Sequence, residues 1–203
     1  MRIEKDTMGE MKLPDDSYYG AQTQRAVENF QISGIKMDFP FTNSFVDSLG
    51  LIKDAAARAN KKLGLLGAKK ASAISKASKE VWQSKHNMEF PLDVFQTGSG
   101  TSSNMNANEV IANLASRSSG VSIDPNDDVN MSQSSNDVIP TAIKLSAFKD
   151  LTEKLYPALD KFIKEIEIKE GSLKGIVKTG RTHLMDAMPI EISQELSAWS
   201  SQL

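Results

Sequence analysis

Hydrophobic positions recur along the 203-residue chain mostly with the 3.6-residue period of α-helices, and polar stretches separate the helical patterns. This alternation predicts an all-α, mainly helical fold. The first sixteen residues are polar and are expected to be irregular, and residues 34–40 are expected to form a connection. Helices are predicted over residues 18–30, 42–63, 67–87, 103–116 and 138–170, and a further helix is predicted from Pro189 onward.

The pattern over residues 138–170 predicts a helix well above the usual length, with a kink at Pro157. Such a helix rarely stands alone, so it is expected in a long bundle, often one shared between subunits. The helix over residues 42–63 is predicted to have an apolar face formed by Phe45, Leu49, Ile52, Ala56, Ala59 and Leu63.

A central polar stretch, residues 126–137, is almost solid with small hydroxyl and amide side chains. It ends where an apolar helical period begins, so Asn136 or Asp137 is expected as N-cap and Pro140 in the first helical turn. The free N–H groups and partial positive charge of a helix N-terminus suit a small anion. An ordinary capped helix is the alternative interpretation of this stretch when it is considered alone.

Two further stretches have the same polar character. Residues 96–106 contain Gly98 and Gly100 but lack the Lys-Ser/Thr ending of a phosphate-binding loop. In the helix that follows, Asn104, Asn108 and Glu109 point either inward or to solvent, and spacing alone does not decide. The third stretch, residues 178–187, holds His183, whose imidazole suits general acid–base work.

Composition narrows the classes of function. The net charge of −2 does not favour nucleic acid as a partner, and the absence of cysteine excludes disulfides and thiolate metal sites and fits a reducing compartment. Two histidines are too few for a histidine-built metal centre. No signal-peptide core and no membrane-spanning apolar run is present in the sequence, so no membrane association is expected and the cytoplasm is the default location.

Several motifs occurring in order resemble the class II fumarate hydratases of the fumarase/aspartase superfamily. They extend over nearly the whole chain, which makes the set far more specific than any one motif. They are Tyr19-Gly-Ala-Gln-Thr-Gln-Arg25, Thr97-Gly-Ser-Gly-Thr101, Ser103-Asn-Met-Asn106, Asn108-Glu109, Pro125-Asn-Asp127, Ser132-Gln-Ser-Ser-Asn-Asp137 and Gly180-Arg-Thr-His-Leu184.

The resemblance implies reversible hydration of fumarate to L-malate in the tricarboxylic acid cycle, with no metal and no organic cofactor. It implies a homotetramer, with residues 1–136 as an N-terminal helical lyase domain and residues 137–203 as the truncated start of a central long-helix bundle. His183 is similar to a catalytic residue of the family. The implied substrate-binding residues are Ser99, Thr101, Asn104, Ser134, Ser135, Asn136 and Thr182.

Two departures from the family pattern bear on these expectations. A second, non-catalytic anion site of the family resembles Asp124, Asn126 and Asp127, but the family usually has histidine where this chain has Asp124. An acidic side chain would repel a carboxylate, which argues against anion binding there. The family's Gly-Ser-Ser loop with the catalytic serine is absent from these residues, and the last helical pattern has no stop signal. The chain is therefore expected to be a fragment that is inactive by itself.

Aspartate ammonia-lyase is the nearest alternative function. Its motifs usually read Ser-Thr-Asn-Asp and Gly-Arg-Thr-Gln, whereas this chain has Ser134-Ser135-Asn136-Asp137 and Thr182-His183, which favours the hydratase. A non-catalytic helical scaffold of the same superfamily is the alternative from another class. Three polar stretches argue against a scaffold, since it has no need for so many buried donors.

Overall fold

The structure is a computed structural model that describes residues 1–37 and 42–203. Helices dominate, so the predicted all-α, mainly helical fold is confirmed. Residues 38–40 of the predicted connection lie outside the described residues. The chain divides into two compact units, Met1–Phe148 and Lys149–Leu203. None of the described helices is both long enough and apolar enough to cross a membrane.

The first unit begins with an antiparallel hairpin of β1 (Arg2–Asp6) and β2 (Gly9–Leu13), in which Arg2 is paired with Leu13. The expectation that this segment is irregular is wrong. Its alternating exposed and half-buried residues fit a two-stranded ribbon, and Leu13 is fully buried. Arg2 donates hydrogen bonds to the carbonyl oxygens of Ser17 and Tyr19, which tie the hairpin to the segment that follows.

Four helices and the start of a fifth build the core of this unit: α1 (Ala21–Asn29), α2 (Ser44–Lys62), α3 (Ala68–Trp82), α4 (Thr101–Ser119) and α5 (Ser135–Asp150). The residues of α4 from Ser103 to Ala112 are all buried, so this helix lies in the interior of the unit. The core is formed by Val46, Leu49, Ile74, Val81, Val110, Ile111, Val129 and Val138 with their neighbours.

Burial of α4 settles the orientation of three polar residues that spacing left open: Asn104, Asn108 and Glu109 all point inward. The Glu109 carboxylate accepts hydrogen bonds from the backbone N–H groups of Gly20, Gln22 and Thr23 and from the Thr23 hydroxyl. It therefore caps the N-terminus of α1, which Gly20 itself cannot do. Burial raises the pKa of Glu109, while these four donors oppose the shift.

The apolar face predicted for α2 is wrong by about one position. The buried face carries Val46, Leu49, Lys53, Ala57 and Asn60, while Ala59 and Leu63 are exposed. Polar side chains enter this face because they are satisfied there. Asn60 donates to the Met131 carbonyl oxygen at 2.9 Å, and Lys53 donates to the side-chain oxygens of Asn130 and Gln133.

The long helix predicted over residues 138–170 is observed as α5, a π-helical turn at Leu151–Leu155, and α6 (Tyr156–Ser172). Pro157 lies at the start of α6, directly after the π-helical turn. Insertion of a residue into the α-helical hydrogen-bond pattern at such a turn accommodates the missing N–H of proline.

The second unit ends with an antiparallel hairpin of β3 (Val177–Thr182) and β4 (Met185–Glu191), followed by α7 (Ile192–Gln202). The prediction that Pro189 opens a helix is wrong, because Pro189 lies in β4 opposite Thr179. The helix begins after Glu191, which forms a capping box with Gln194. A strand at the edge of a two-stranded sheet tolerates proline, since one side of its backbone has no partner.

Candidate active site

The central polar stretch ends at α5, as the sequence predicts, but the helix begins earlier. Ser134 stands at the N-cap position, since its carbonyl oxygen accepts from Val138 N at 2.9 Å and its hydroxyl accepts from Asn136 N at 3.3 Å. Asn136 and Asp137 are therefore inside the first turn, and Pro140 lies beyond it. The prediction fails because consecutive Ser, Ser, Asn and Asp residues are all good caps.

The second polar stretch turns sharply into the N-terminus of α4. Gly100 precedes the helix with a φ of +68°, a conformation that glycine adopts at little cost. The hydroxyls of Ser99 and Thr101 lie 2.9 Å apart on either side of it, and both residues are exposed. A Cβ atom at position 100 would lie 2.9 Å from the Ile139 side chain of α5. The beginnings of α4 and α5 are therefore in close contact.

A buried amide joins the two stretches. Asn104, one turn into α4, donates to the Ser135 hydroxyl at 2.9 Å and to the Asn130 side-chain oxygen at 3.1 Å. The structure thus brings together six of the predicted substrate-binding residues at two adjoining helix N-termini. They are Ser99, Thr101, Asn104, Ser134, Ser135 and Asn136. Neutral hydroxyl and amide donors beside two helix N-termini are an arrangement that suits a carboxylate.

The remaining two predicted residues lie in the second unit, at the tip of the β3–β4 hairpin. Thr182 pairs with Met185, and His183 and Leu184 form the two-residue turn between them. Both turn residues have positive φ values, 50° and 63°, where asparagine and glycine are usual. His183 is exposed, and Leu184 is 97% exposed. A strained, solvent-facing turn is a common feature of functional loops.

Asp124 already occupies the donors of the predicted second anion site. Its carboxylate accepts from Asn126 N at 2.7 Å and from Asp127 N at 2.8 Å, at the start of the turn Pro125–Val129. Asp128 is held by an ion pair with Lys70 at 2.6 Å. An external anion would have to compete with the Asp124 carboxylate for these N–H groups, so the contacts favour a capped turn over an anion site.

Lys53 is a residue that the sequence reasoning missed. Its ammonium group lies beneath the central stretch, fully buried, and donates at 2.9 Å each to the side-chain oxygens of Asn130 and Gln133. Burial lowers the pKa of Lys53 to about 7. A signal was available, because Lys53 occurs at helical spacing between Leu49 and Ala57.

No group of three or more His, Cys, Asp or Glu side chains in residues 1–37 and 42–203 is arranged to hold a metal ion. The first unit offers hydrogen bonding to an anion at the α4 and α5 N-termini. The second unit, described by itself, carries an imidazole at its hairpin tip.

Comparisons with known proteins agree with this inventory. The family model described as "Lyase" matches residues 9–203. A class II fumarate hydratase of Xylella fastidiosa (strain Temecula1) is 53% identical over 202 residues, which are 100% of this chain and 42% of that protein. Another from Mycobacterium tuberculosis (strain H37Rv) is 50% identical over 202 residues, again 100% of this chain and 42% of that protein.

Solved structures are also similar to this chain. A class II fumarase from Schistosoma mansoni has a TM-score of 0.93 and 42% identity, covering 99% of this chain and 43% of that one. A fumarate lyase:delta crystallin from Brucella melitensis has a TM-score of 0.93 and 43% identity, covering 99% of this chain and 47% of that one. The chain therefore spans less than half the length of these relatives.

Proposed function

Because the chain belongs to the lyase family, in the fumarase/aspartase superfamily, we propose that it is part of a class II fumarate hydratase. The proposed reaction is the reversible addition of water to fumarate to give L-malate. The two relatives described above are class II fumarate hydratases and are about 50% identical to this chain over its whole length. The observation that carries the proposal is the meeting of the α4 and α5 N-termini, joined by the hydrogen bond from Asn104 to Ser135.

The chemistry of the reaction fits these donors. Removing the proton next to a carboxylate of L-malate builds an aci-carboxylate, which carries two negative charges on one group. Fixed dipoles and hydroxyl donors stabilise such charge without having to reorganise during the reaction. We assign carboxylate and hydroxyl recognition to Thr101, Ser134, Ser135, Asn136 and Thr182, and place Ser99 and Asn104 beside them as further substrate-binding residues.

His183 is assigned to the departing or arriving water. An imidazole can both accept and donate a proton, so it can take or give the proton of that water. Its exposed position at the hairpin tip leaves the ring accessible to a ligand. The proposed reaction needs no metal and no organic cofactor. The second anion site at Asp124, Asn126 and Asp127 is left out of the proposal, because the Asp124 carboxylate already accepts from the N–H groups there.

The proposed assembly is a homotetramer in which α5 and α6 enter a central helical bundle. Support comes from large apolar side chains that are exposed on these two helices: Ile143 on α5, and Phe162 and Ile168 on α6. Apolar surface of this kind is stabilised by burial against another subunit. The division into domains 1–136 and 137–203, a cytoplasmic location and a place in the tricarboxylic acid cycle belong to the same proposal.

A chimaera tests the function. In the Xylella fastidiosa relative, this chain would replace the matching 42% of the sequence. Absorbance of the fumarate double bond would be followed with L-malate or L-aspartate supplied in parallel, and the 203-residue chain would be assayed beside the chimaera. We expect activity with L-malate. Activity with L-aspartate alone would identify an ammonia-lyase, and silence from a folded, assembled chimaera would favour a scaffold.

Thr101→Val in the chimaera removes one proposed carboxylate donor, and we expect about a hundredfold loss of kcat/KM. Thr141→Val is the matched control, because Thr141 is also an exposed threonine on a helix but lies in the second turn of α5. Equal losses in the two variants would contradict the assignment of Thr101.

A further inference from the structure

Lys53 lies on α2 with none of its surface exposed, and its hydrogen-bond partners are two neutral amide oxygens. No carboxylate is among the partners that the structure gives it. A buried ammonium without an opposite charge costs stability, and an apolar side chain of similar length would pack there without that cost. A purely structural role therefore does not account for a lysine at this position.

In its protonated form Lys53 has no acceptor and only donates hydrogen bonds, and this fixes the direction of the bonds beyond it. The Asn130 side-chain oxygen faces Lys53 and accepts, so the Asn104 amide that also contacts this oxygen must donate to it, at 3.1 Å. The second hydrogen of the same amide is donated to the Ser135 hydroxyl oxygen at 2.9 Å.

The two amides that accept from Lys53 belong to Asn130 and Gln133, and the hydrogen bonds donated by their nitrogen atoms agree with this direction. Asn130 donates through its side-chain nitrogen to the Gln133 carbonyl oxygen at 3.3 Å. Gln133 donates through its own nitrogen to the carbonyl oxygens of Val129, at 2.9 Å, and Met131, at 3.2 Å. Rotating either amide would point its N–H groups at the ammonium and lose these bonds.

Resting on the proposed function, we propose that Lys53 is a positioning residue that sets the direction of the chain Lys53–Asn130–Asn104–Ser135, so that the Ser135 hydroxyl is left to donate its hydrogen to a substrate carboxylate. Lys53 does not touch the substrate in this arrangement. Its effect reaches the substrate through the side chains of Asn130 and Asn104. Without a donor at position 53, the Asn130 amide loses one of the contacts that fix its direction. When it turns, the Asn104 amide turns with it, and the Ser135 hydroxyl can then donate inward.

A double-mutant cycle in the chimaera tests the proposal through steady-state kinetics. We expect Lys53→Met to raise KM for L-malate at least tenfold with a much smaller change in kcat, because a carboxylate donor is misdirected. Ser135→Ala should raise KM similarly. Because both changes remove the same donor, the double variant should be no worse than Ser135→Ala alone.

Ile74→Val is the control for lost packing, since Ile74 is fully buried in the α3 core and is outside the chain of hydrogen bonds. Its effects should be independent of Ser135→Ala. The proposal would be overturned if the fold-increase in KM of the double variant equalled the product of the increases in Lys53→Met and Ser135→Ala. An unchanged KM in Lys53→Met would also overturn it.

A second measurement separates this proposal from the proposed function. In the 203-residue chain, NMR of the Asn104 side-chain amide reports its two hydrogen bonds without any substrate. We expect Lys53→Met to shift these signals and speed their exchange with water. The chain has no native cysteine, so Lys53→Cys can be alkylated in the unfolded chain with 2-bromoethylamine to give a lysine analogue. Refolding should restore the wild-type signals.

If the wild-type chimaera is inactive, the proposed function fails, and the NMR comparison then decides the positioning role. Asn104 amide signals that are the same in wild type and Lys53→Met overturn it. Signals that change in Lys53→Met and return with the alkylated variant support it.

Discussion

Lys53 and Glu109 are two charged side chains in the interior of the first unit, and their environments differ. Glu109 is surrounded by four donors at the start of α1, and its charge is compensated by hydrogen bonds. Lys53 has two neutral acceptors, and burial lowers its pKa to about 7. Glu109 therefore stabilises the fold, whereas Lys53 makes the stability of the fold depend on pH near neutrality.

The pKa of Lys53 predicts the sign of that dependence. The folded value, about 7, lies below the usual 10.5, so between these values the unfolded chain binds more protons than the folded chain. The free energy of unfolding should therefore rise with pH across this window. Urea unfolding at pH 7 and pH 9 should show wild type gaining about 2 kcal/mol more than Lys53→Met. Parallel profiles for the two proteins would contradict the prediction.

Gly100 is the residue on which the contact between α4 and α5 depends. Gly100→Ala adds a Cβ at 2.9 Å from Ile139 and places alanine at a φ of +68°. We expect the free energy of unfolding to fall by about 2 kcal/mol, from steric overlap and backbone strain together. Gly98→Ala is the matched control in the same loop, because no atom of residues 1–37 and 42–203 lies within 4 Å of the added atom and no positive φ is involved. Denaturant unfolding should leave that control unchanged within error.

At the scale of elements, contacts at the base of the β3–β4 hairpin hold the third polar stretch in place. Lys178 on β3 pairs with Glu195 on α7 at 2.5 Å, and Glu191 at the end of β4 caps α7. These contacts fix the base of the hairpin, while its tip carries His183 and Leu184 with positive φ values. The backbone strain is therefore located beside the proposed catalytic imidazole.

Leu184→Gly should relieve that strain. Leu184 is 97% exposed, so the change loses almost no packing, and glycine adopts a φ of 63° readily. We expect the free energy of unfolding of the second unit to rise by about 1 kcal/mol. Met188→Gly is the contrasting control, since Met188 is an exposed residue in strand β4, where glycine weakens the strand. Thermal unfolding, monitored through a signal from the hairpin, should show a raised midpoint for Leu184→Gly and a lowered midpoint for Met188→Gly.

At the scale of the whole molecule, the hydrophobic core is distributed very unevenly between the two units. Among the described residues, every buried hydrophobic side chain lies in residues 1–148 except Ile166 on α6. The second unit has exposed apolar side chains on α6, on α7 and in its hairpin instead. Since apolar burial is the main stabilising contribution, the first unit should be the more stable of the two.

Hydrogen exchange measured on the dilute chain should show this difference. We expect backbone amides of α6, β3 and β4 to exchange faster than those of α2, α3 and α4. Ile166→Ala should accelerate exchange in the second unit, and Ile74→Ala, its control in the larger core, should act on the first. Equal protection in both units would show that the second unit has another source of stability, such as association between copies.

The sequence by itself determined the mainly helical fold, the positions of most helices and the three polar stretches with their family resemblance. Helical periodicity and capping residues are local properties, so the sequence displays them directly. It did not determine which face of α2 is buried or where α5 begins. The buried face of α2 depends on partners distant in sequence, as Lys53 does on Asn130 and Gln133. The start of α5 was ambiguous because several consecutive residues there are all good caps.

Tertiary structure alone decided which polar residues meet. Asn104 and Ser135 are 31 positions apart, and their hydrogen bond exists because α4 and α5 touch at Gly100 and Ile139. The hairpin at residues 177–191 was likewise not predicted from the sequence, since its residues lack the strict alternation of apolar and polar side chains that marks a half-buried strand. Burial of a charged or polar side chain is favourable only when its partners are present, and those partners come from the fold.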